Sequence, residues 1–423
     1  MPGGVPGDRV AVRLQSRQRS YARGELLRVV SPGPQRVEAA CQLAVPQPGQ
    51  TAAACGGCPL MALSRPAQLA AKQSWVARAL RQLAVELRPI VAPAEPLGYR
   101  LRARLVVRAG QLSFAAAASH RGVVLTACPV LAPTLAQVLL SRGPELPAAL
   151  GEGGALSGLL GWHAGRPAVQ LAAELGPQGR RPVVRSLLQK WIEAGDIVGA
   201  SLRSAASPSA AQEEILGQAT LDLAAPPGEA AASDDLGPLA GSAAGFAQAC
   251  AAGHTLLPTL VADAVCLPWV DGSLPVLPQP QVLELFSGSG NLTRALLPLA
   301  QAITCVEGDP AAMARAAARF GDAITRCAEP VDSALAKLSA AGARFSTVVL
   351  DPPRAGAREA MSRIAGLGAQ RVIYVSCDVM TLARDLATLA ASGYRLRYVQ
   401  PLDLMPHTAE IECVAVCDRE PST

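Results

Sequence analysis

The sequence predicts an α/β fold for residues 242–423, with a mostly parallel sheet that is covered by helices on both faces. Short apolar runs typical of buried strands alternate there with segments of helical periodicity. The strand-like runs are residues 282–286, 302–307, 346–351, 371–376 and 412–417. The helical segments are residues 292–299, 310–320, 331–341 and 381–392. Polar or glycine-rich turns follow several of these strands, at the sheet edge where open α/β folds bind their ligands.

The first 241 residues are predicted to form two further domains. Residues 1–40 alternate apolar and polar side chains in the manner of small β-barrel hairpins, although the stretch is too short to close a barrel unaided. Residues 41–241 mix strand-like runs with loops, which predicts a central α+β domain. Within it, we expect a long helix over residues 68–87 to pack on the C-terminal domain, and residues 226–238 resemble a turn or linker.

Composition and charge narrow the class of protein. The chain has 423 residues and is 50% hydrophobic, but only 3% of its residues are aromatic and it has no run of 18 uncharged apolar residues. The N-terminus lacks the apolar core of a signal peptide, so we expect a cytoplasmic protein without membrane association. The net charge is +5, and residues 1–40 contain seven arginines against three acidic residues, which suits a polyanionic partner.

A glycine-containing turn after the first strand of the C-terminal domain predicts a cofactor site. Phe286 leads into Gly288 and Gly290, and a helical segment follows, so backbone N–H groups can approach a ligand closely. Glu307 ends the next strand, where a carboxylate can accept hydrogen bonds from ribose hydroxyls. The third glycine of a dinucleotide-binding fingerprint is missing. S-adenosylmethionine therefore fits this turn better than NAD.

Two further strand ends carry candidate reactive groups. Asp351, followed by two prolines and Arg354, ends one strand in a stiff turn. Cys377 lies between a strand and a helix, in a turn that we expect to lower its pKa and favour a nucleophilic thiolate. Glu412 begins the last strand, near the edge where a general base is needed.

Four of the eleven cysteines form a candidate metal site. Cys41, Cys55, Cys58 and Cys128 all lie in the first third of the chain. Four thiolates can hold either zinc or an iron–sulfur cluster, and composition does not choose between them. Proline directly after Cys58 and after Cys128 favours iron–sulfur.

These motifs together resemble one family, the RNA uracil-5-methyltransferases that use S-adenosylmethionine. In the C-terminal domain the resemblance is carried, in order, by LELFSGSGNLT (283–293), DPPRAGAREAM (351–361), YVSCDVMTLARD (374–385) and PHTAEIE (406–412). The N-terminal half is similar to the branch that methylates 23S ribosomal RNA and carries an iron–sulfur cluster. The matching segments there are residues 21–38, the CGGC segment at 55–58, residues 99–107, the Ser119–His120 pair and residues 128–131.

The resemblance implies a role for each candidate residue. Cys377 would add to C6 of uracil, Glu412 would remove the C5 proton, and Asp351 would hold the uracil edge with a contact from Arg354. The cofactor would be bound by Gln248, Phe286, Gly288, Gly290, Glu307 and Asp351. The four cysteines, Cys41, Cys55, Cys58 and Cys128, would hold a 4Fe–4S cluster. Residues 1–40 would be a partial OB-like RNA-binding barrel of the TRAM type, and the C-terminal domain a Rossmann-like methyltransferase.

The chain also departs from the family pattern. Val379 replaces the proline usually found two residues after the nucleophile, and Cys250 replaces an asparagine that follows the Phe-x-Gln motif. Glu410 replaces a histidine two residues before Glu412, and we expect this second carboxylate to raise the pKa of the base by like-charge repulsion.

The function predicted from these observations is methylation of C5 of one uridine in 23S rRNA by a monomeric enzyme, whose target base is either flipped out or already unstacked. One alternative is a transfer RNA uracil-5-methyltransferase, whose members generally lack the four cysteines. A second is a non-catalytic RNA-binding iron–sulfur protein on a decayed scaffold, against which Cys377, Asp351 and Glu412 argue. A DNA cytosine-5-methyltransferase normally places its nucleophile in a Pro-Cys loop, which is absent here.

Overall fold

The structure is a computed structural model. It describes residues 3–19, 21–44, 54–92, 95–116, 121–204, 213–223, 239–269 and 272–420, which form three β-sheets and the helices around them. The Ser119–His120 pair and the predicted linker at residues 226–238 lie outside the described residues.

The N-terminal region is an antiparallel ribbon of β1 (Arg9–Arg17) and β2 (Ala22–Ser31). Its base is closed by Asp8, which forms an ion pair with Arg36 at 2.6 Å and accepts a hydrogen bond from the Gly33 N–H at 2.9 Å. The Arg36 guanidinium holds the pKa of Asp8 well below its usual range. Within the described residues, the predicted barrel is represented by this pair of strands.

The helix predicted over residues 68–87 is shorter than expected. It is α1 (Arg65–Leu80), and β3 (Glu86–Leu87) follows it as an edge strand of the C-terminal sheet. The helix was predicted to continue beyond Leu80 because Leu83 and Leu87 keep the apolar helical spacing, and this part of the prediction was wrong. Leu83 lies in a turn and Leu87 in a strand, and both pack against the core of the C-terminal sheet. Val76 and Leu80 of α1 are also buried in this core.

The central region is a nine-stranded sheet with helices against it. The sheet has the order β10-β9-β8-β7-β4-β5-β6, and β11 pairs with β7 and β12. Its strands are β4 (Arg102–Arg108), β5 (Gln111–Ala115), β6 (Gly122–Val124), β7 (Ala155–His163), β8 (Arg166–Leu175), β9 (Gly199–Ser204), β10 (Glu214–Gly217), β11 (Leu221–Asp222) and β12 (Ala240–Gly241). Its helices are α2 (Pro133–Arg142), α3 (Pro147–Leu150) and α4 (Arg181–Glu193). Their shared core contains the fully buried Trp191.

The C-terminal region contains the predicted α/β sheet. Its strands are β13 (Val282–Leu285), β14 (Ile303–Val306), β15 (Thr325–Cys327), β16 (Thr347–Leu350), β17 (Arg371–Ser376), β18 (Tyr394–Leu402) and β19 (Glu412–Arg419). Its helices are α5 (Ala251–Cys266), α6 (Thr293–Leu296), α7 (Pro310–Phe320), α8 (Val331–Ala340), α9 (Arg358–Gly366) and α10 (Val379–Ala391). The sheet order is β15-β14-β13-β16-β17-β19-β18-β3, parallel from β15 to β17, with β19 antiparallel to both of its neighbours.

The central strands of this sheet are buried on both faces. In β17, for example, Val372 and Tyr374 point into the core shared with α1, α8, α9 and α10, while Ile373 and Val375 point into the core shared with α5 and α7. Strands buried in this way read as continuous apolar runs, which is why the sequence predicts them well. The α/β prediction is confirmed.

A buried ion pair fixes the end of the sheet opposite the strand ends that carry the candidate site. Arg371, at the start of β17, is fully buried and pairs with Asp418 of β19 at 2.6 Å. The guanidinium also donates to the carbonyl groups of Ala264 and Leu267, both at 2.7 Å, and so ties the end of α5 to the sheet. None of the helices in the described part of the chain is long and apolar enough to cross a membrane.

Candidate active site

Three polar side chains meet at the carboxyl edge of the C-terminal sheet. Cys377 follows β17, Asp351 follows β16, and Glu412 is the first residue of the antiparallel β19. Ser376 is paired with Cys413, so the next positions in this register are Cys377 and Glu412. Because neighbouring strands lie about 4.8 Å apart, the three side chains share one short stretch of the edge.

The thiol of Cys377 is half-buried and is surrounded by charges of both signs. Burial raises the pKa of this thiol to about 11, and the Glu412 and Asp351 carboxylates raise it as well, while the Arg354 guanidinium lowers it. This direction is opposite to the lowering of the pKa that was expected from the strand-to-helix turn.

The cap of helix α10 explains part of this result. Asp378 is the N-cap residue, and its carboxylate accepts hydrogen bonds from the backbone N–H groups of Met380 and Thr381, both at 2.9 Å. A helix N-terminus stabilises a thiolate through such free N–H groups. Here they are bound by Asp378 instead of Cys377.

The two carboxyl groups beside the thiol have raised pKa values. Burial raises the pKa of Glu412 well above its ordinary value, and the Asp351 carboxylate raises it further. The pKa of Asp351 is raised to about 7, again by burial. Glu410 acts on Glu412 in the expected direction, but burial and Asp351 have larger effects. A carboxylate whose pKa lies close to the working pH is suited to proton transfer.

Arg354 supplies the positive charge at this edge. Its exposed side chain forms an ion pair with Glu410, and its guanidinium lowers the pKa of Glu412. The Arg354 carbonyl accepts a hydrogen bond from the Thr381 hydroxyl at 3.1 Å. The Asp-Pro-Pro-Arg turn is thereby attached to the start of the helix that follows Cys377.

The predicted cofactor turn follows β13 and has an unusual backbone. Phe286, Gly288 and Gly290 all have positive φ, at 59°, 57° and 90°. A Cβ added to Gly290 would lie 2.2 Å from Cε2 of Phe320, so this glycine is required for packing. A Cβ added to Gly288 would meet none of the described atoms within 4 Å, so this part of the turn borders open space.

Glu307 connects this turn to the next strand. Its carboxylate accepts hydrogen bonds from the backbone N–H groups of Gly288 at 2.9 Å and Asp309 at 2.7 Å. Below the turn, the buried Glu284 accepts a hydrogen bond from the Thr293 hydroxyl at 2.6 Å, and burial raises the pKa of Glu284 to about 8.

Gln248 lies just before α5, on the side of the sheet that carries the glycine turn. Its side chain packs against Gly253, where an added Cβ would approach Gln248 Cβ to 2.8 Å. The Gly253 carbonyl in turn accepts a hydrogen bond from the Asn291 side chain at 3.1 Å. Since Asn291 directly follows Gly290, the segment of Gln248 is linked to the turn by one contact.

The four candidate metal ligands lie in one region formed by three segments of the chain. Cys41, Cys58 and Cys128 contribute to one small apolar cluster. Burial raises the pKa of Cys58 to about 12, and negative charge on Cys128, Cys55 and Cys41 raises it as well, so the four thiols lie within electrostatic range of one another. Within the described ranges no three His, Cys, Asp or Glu side chains are already arranged around a metal position.

Two buried polar residues near the site were missed by the sequence analysis. Gln68 and Lys72 occupy the buried stripe of α1 together with Val76 and Leu80. Both contact the segment 403–410, which leads directly into Glu412. A glutamine and a lysine at i, i+4 spacing in an otherwise apolar helical stripe were the available signal.

Comparison with known proteins identifies the family. The family model described as tRNA (Uracil-5-)-methyltransferase matches residues 311–420. The protein of Edwardsiella ictaluri named 23S rRNA (uracil(1939)-C(5))-methyltransferase RlmD is 34% identical over 98% of this chain and 89% of its own length. The protein of the same name from Vibrio cholerae is 31% identical over 98% of this chain and 89% of its own length.

A solved structure shares the fold over almost the whole chain. The Pyrococcus abyssi tRNA (uracil-54, C5)-methyltransferase, solved in complex with S-adenosyl-L-homocysteine, superimposes with a TM-score of 0.67 at 20% identity. The match covers 98% of this chain and 94% of the other. This likeness establishes the α/β methyltransferase fold. The relatives at 31–34% identity, which match almost the whole chain, show that the chain belongs to the RNA uracil-5-methyltransferase family.

Proposed function

We propose that this protein transfers a methyl group from S-adenosylmethionine to C5 of a specific uridine in 23S rRNA. The observation that carries the proposal is the convergence of Cys377, Glu412 and Asp351 at one sheet edge, beside a glycine turn that borders open space. The names of full-length relatives at 31–34% identity support 23S rRNA as the substrate.

The first step makes C5 of uracil nucleophilic. The Cys377 thiolate forms a bond to C6, and the electron pair of the C5=C6 double bond moves to C5 and its neighbouring carbonyl. When bound, S-adenosylmethionine supplies an electrophilic methyl group for this carbon. Asp351 hydrogen-bonds to the uracil edge and thus orients C6 toward the thiolate, and Arg354 adds a positive contact to the substrate.

The second step restores the aromatic base. Glu412 takes the proton from C5, the C–H electron pair reforms the C5=C6 bond, and the C6–S bond breaks to release the Cys377 thiolate. Burial of Glu412 supports this role, because a raised pKa makes its carboxylate a stronger base.

Cofactor binding is assigned to the residues around the glycine turn. The open space at Gly288 accommodates the cofactor, and Phe286, Gly290 and Gln248 shape its walls. Glu307 already accepts hydrogen bonds from the Gly288 N–H of this turn and from the Asp309 N–H, and its remaining lone pairs can accept from ribose hydroxyls. Asp351 lies between this turn and Cys377 in the strand order and so contacts both cofactor and substrate.

RNA binding is assigned to the N-terminal ribbon as a reduced TRAM-type barrel. Its β1 and β2 strands carry arginines, and those of β1 are largely exposed, which suits a phosphate backbone. The target uridine must be unstacked, because C6 is shielded within a stacked base.

Cys41, Cys55, Cys58 and Cys128 are assigned to a 4Fe–4S cluster. Four sulfur donors within electrostatic range of one another, in a half-buried apolar region, suit this group. The purified protein is expected to be brown, with absorbance in the blue part of the visible spectrum. Cys55→Ser should abolish this absorbance, whereas Cys266→Ser, at an exposed position, should leave it unchanged.

One experiment tests the catalytic proposal directly. The protein is incubated with S-adenosylmethionine and 23S rRNA containing 5-fluorouridine, whose fluorine cannot leave as a proton does, so a covalent complex should persist. The complex should be absent in Cys377→Ala and retained in the control Cys266→Ala. A complex formed only with transfer RNA would show that transfer RNA is the substrate. The absence of a complex with either RNA would refute the catalytic proposal.

A further inference from the structure

A fully buried lysine holds the chain segment that carries the proposed base. Lys72 lies on α1, and its ammonium group donates three hydrogen bonds to the segment 403–410. The acceptors are Asp403 Oδ1 at 2.6 Å, the Met405 carbonyl at 3.1 Å and the Glu410 carbonyl at 2.7 Å. An ammonium has three donors, so all of its hydrogen-bonding capacity is used on this one segment.

This segment connects β18 to β19 and ends two residues before Glu412. Lys72 binds it near both ends, through Asp403 and through the Glu410 carbonyl. Gln68, one turn earlier on α1, accepts the His407 N–H at 3.0 Å and so fixes the middle. His407 has a φ of 65°, a left-handed conformation that is uncommon for a non-glycine residue, and the hydrogen bond to Gln68 holds its backbone in place.

We propose that Lys72 is a positioning residue for the second step of the reaction, in which Glu412 removes the C5 proton. The inference rests on the proposed function and deepens it. Lys72 fixes the backbone immediately before Glu412, so the direction of the Glu412 carboxylate depends on a residue from the N-terminal part of the chain.

The inference separates the two steps of the reaction. Cys377 is held by β17 and α10, and Asp378 caps that helix independently of Lys72. Although the exposed Glu410–Arg354 ion pair links the 403–410 segment to that side of the site, addition of the thiolate and methyl transfer do not require the hydrogen bonds of Lys72. Proton removal does, because a misplacement of about 1 Å can cost about 100-fold in rate.

Lys72→Met is the informative variant, because it keeps most of the side-chain length and removes the donors. The matched control is Arg78→Met, which removes a positive charge from the exposed face of the same helix. Three quantities are measured for each variant. They are the yield of covalent complex with 5-fluorouridine RNA, the turnover on normal RNA, and the fraction of normal RNA trapped as a methylated covalent complex.

For Lys72→Met we expect fluorinated complex within about twofold of wild type, turnover lowered about 10- to 100-fold, and methylated complex accumulating on normal RNA. Arg78→Met should behave as wild type in all three measurements. Lys72→Arg keeps the charge and should recover part of the turnover.

Several outcomes overturn the inference. These are an equal loss of complex and turnover in Lys72→Met, unchanged turnover in Lys72→Met, and failure of both Lys72→Met and Lys72→Arg to fold, which would assign Lys72 a purely structural role. If Lys72→Met alone fails to fold, Lys72→Arg decides by the same comparison of complex with turnover. If the wild-type protein forms no complex with any RNA, the proposed function fails first, and the two failures are thereby distinguished.

Discussion

Substituting Gly290 by alanine tests whether this glycine serves packing, as the structure indicates, more than it serves the cofactor. The added Cβ would lie 2.2 Å from Cε2 and 2.9 Å from Cζ of Phe320, far inside contact distance. The residue also has a φ of 90°, which costs an alanine about 1–2 kcal/mol. Overpacking adds about 1–3 kcal/mol. We therefore expect Gly290→Ala to lower the free energy of unfolding by about 2–5 kcal/mol.

Gly288→Ala is the matched control. Its φ of 57° carries a similar backbone cost, but its Cβ would meet none of the described atoms within 4 Å. We expect a stability loss of only about 1–2 kcal/mol. Because the open space is assigned to the cofactor, binding of S-adenosylhomocysteine should weaken about tenfold or more in this variant. Chemical denaturation measures the loss of stability, and isothermal titration calorimetry measures the binding of S-adenosylhomocysteine.

A second substitution identifies the clashing atoms. Leucine at 320 lacks Cε2 and Cζ, so Phe320→Leu should remove most of the overpacking cost of Gly290→Ala. The double-mutant cycle should give a favourable coupling of about 1–3 kcal/mol between the two positions. Equal destabilisation by the two glycine substitutions, or additive effects in the cycle, would refute the packing argument.

Three further predictions follow from the electrostatics of the structure. Because the Glu412 carboxylate raises the pKa of Cys377, Glu412→Gln should lower that pKa and speed alkylation of the thiol by up to about tenfold at about pH 9. Mass spectrometry of the peptide that contains Cys377 measures the rate. Slower alkylation in the variant would show that Glu412 does not raise this pKa. Burial raises the pKa of Glu284 from 4.5 to about 8, so between these pH values the folded state retains a proton that the unfolded state releases. The free energy of unfolding therefore falls as the pH rises from 4.5 to about 8. Glutamine has no carboxyl group to ionise, so the free energy of unfolding of Glu284→Gln, relative to wild type, should rise by more than about 1 kcal/mol from about pH 4 to about pH 8.5. A difference that shrinks as the pH rises would refute this prediction. Arg371→Met should cost about 3–5 kcal/mol, because it removes the buried partner of the Asp418 carboxylate together with the donors that bind the Ala264 and Leu267 carbonyl groups. Arg397→Met removes the more exposed partner of the same carboxylate and should cost about 1 kcal/mol or less. Similar losses for the two variants in denaturation would refute this distinction.

The sequence predicted the central strands whose two faces are both buried and missed others nearer the sheet edges, β15 and β18 among them. β13, β16 and β17 are buried along their whole length, and apolar residues fill most of their positions. β18 was missed because its first half alternates buried and exposed residues and it contains Pro401, which argues against a central strand. Its place next to the edge depends on pairing with β19 and β3, and pairing partners from distant segments are not encoded in a local pattern.

The residues of the candidate site could be proposed from the sequence, but their pKa values could not. Cys377, Asp351 and Glu412 could be proposed because each lies at the end of a strand-like run, and the strand order brings them to one edge. The raised pKa of Cys377 could not, because it results from burial and from neighbouring carboxylates that are far apart in the sequence. In the proposed reaction the thiol must lose its proton beside two carboxylates, and among the charges that act on its pKa the Arg354 guanidinium favours the thiolate.

The two halves of the proposed reaction have different structural supports. The nucleophile is held within the C-terminal sheet, by β17 and the capped start of α10. The base begins β19 of the same sheet, but the segment before it is held from outside the sheet. Lys72 and Gln68 of α1 bind this segment, the Leu60 N–H donates to the His407 carbonyl at 2.9 Å, and the Tyr99 hydroxyl donates to the Pro406 carbonyl at 3.0 Å. Tyr99 packs in the same apolar cluster as Cys58 and Cys128, and Leu60 lies two residues after Cys58. A change in the cysteine region should therefore affect proton removal more than thiolate addition. The region is thereby connected to catalysis through the 403–410 segment and without contact with the substrate.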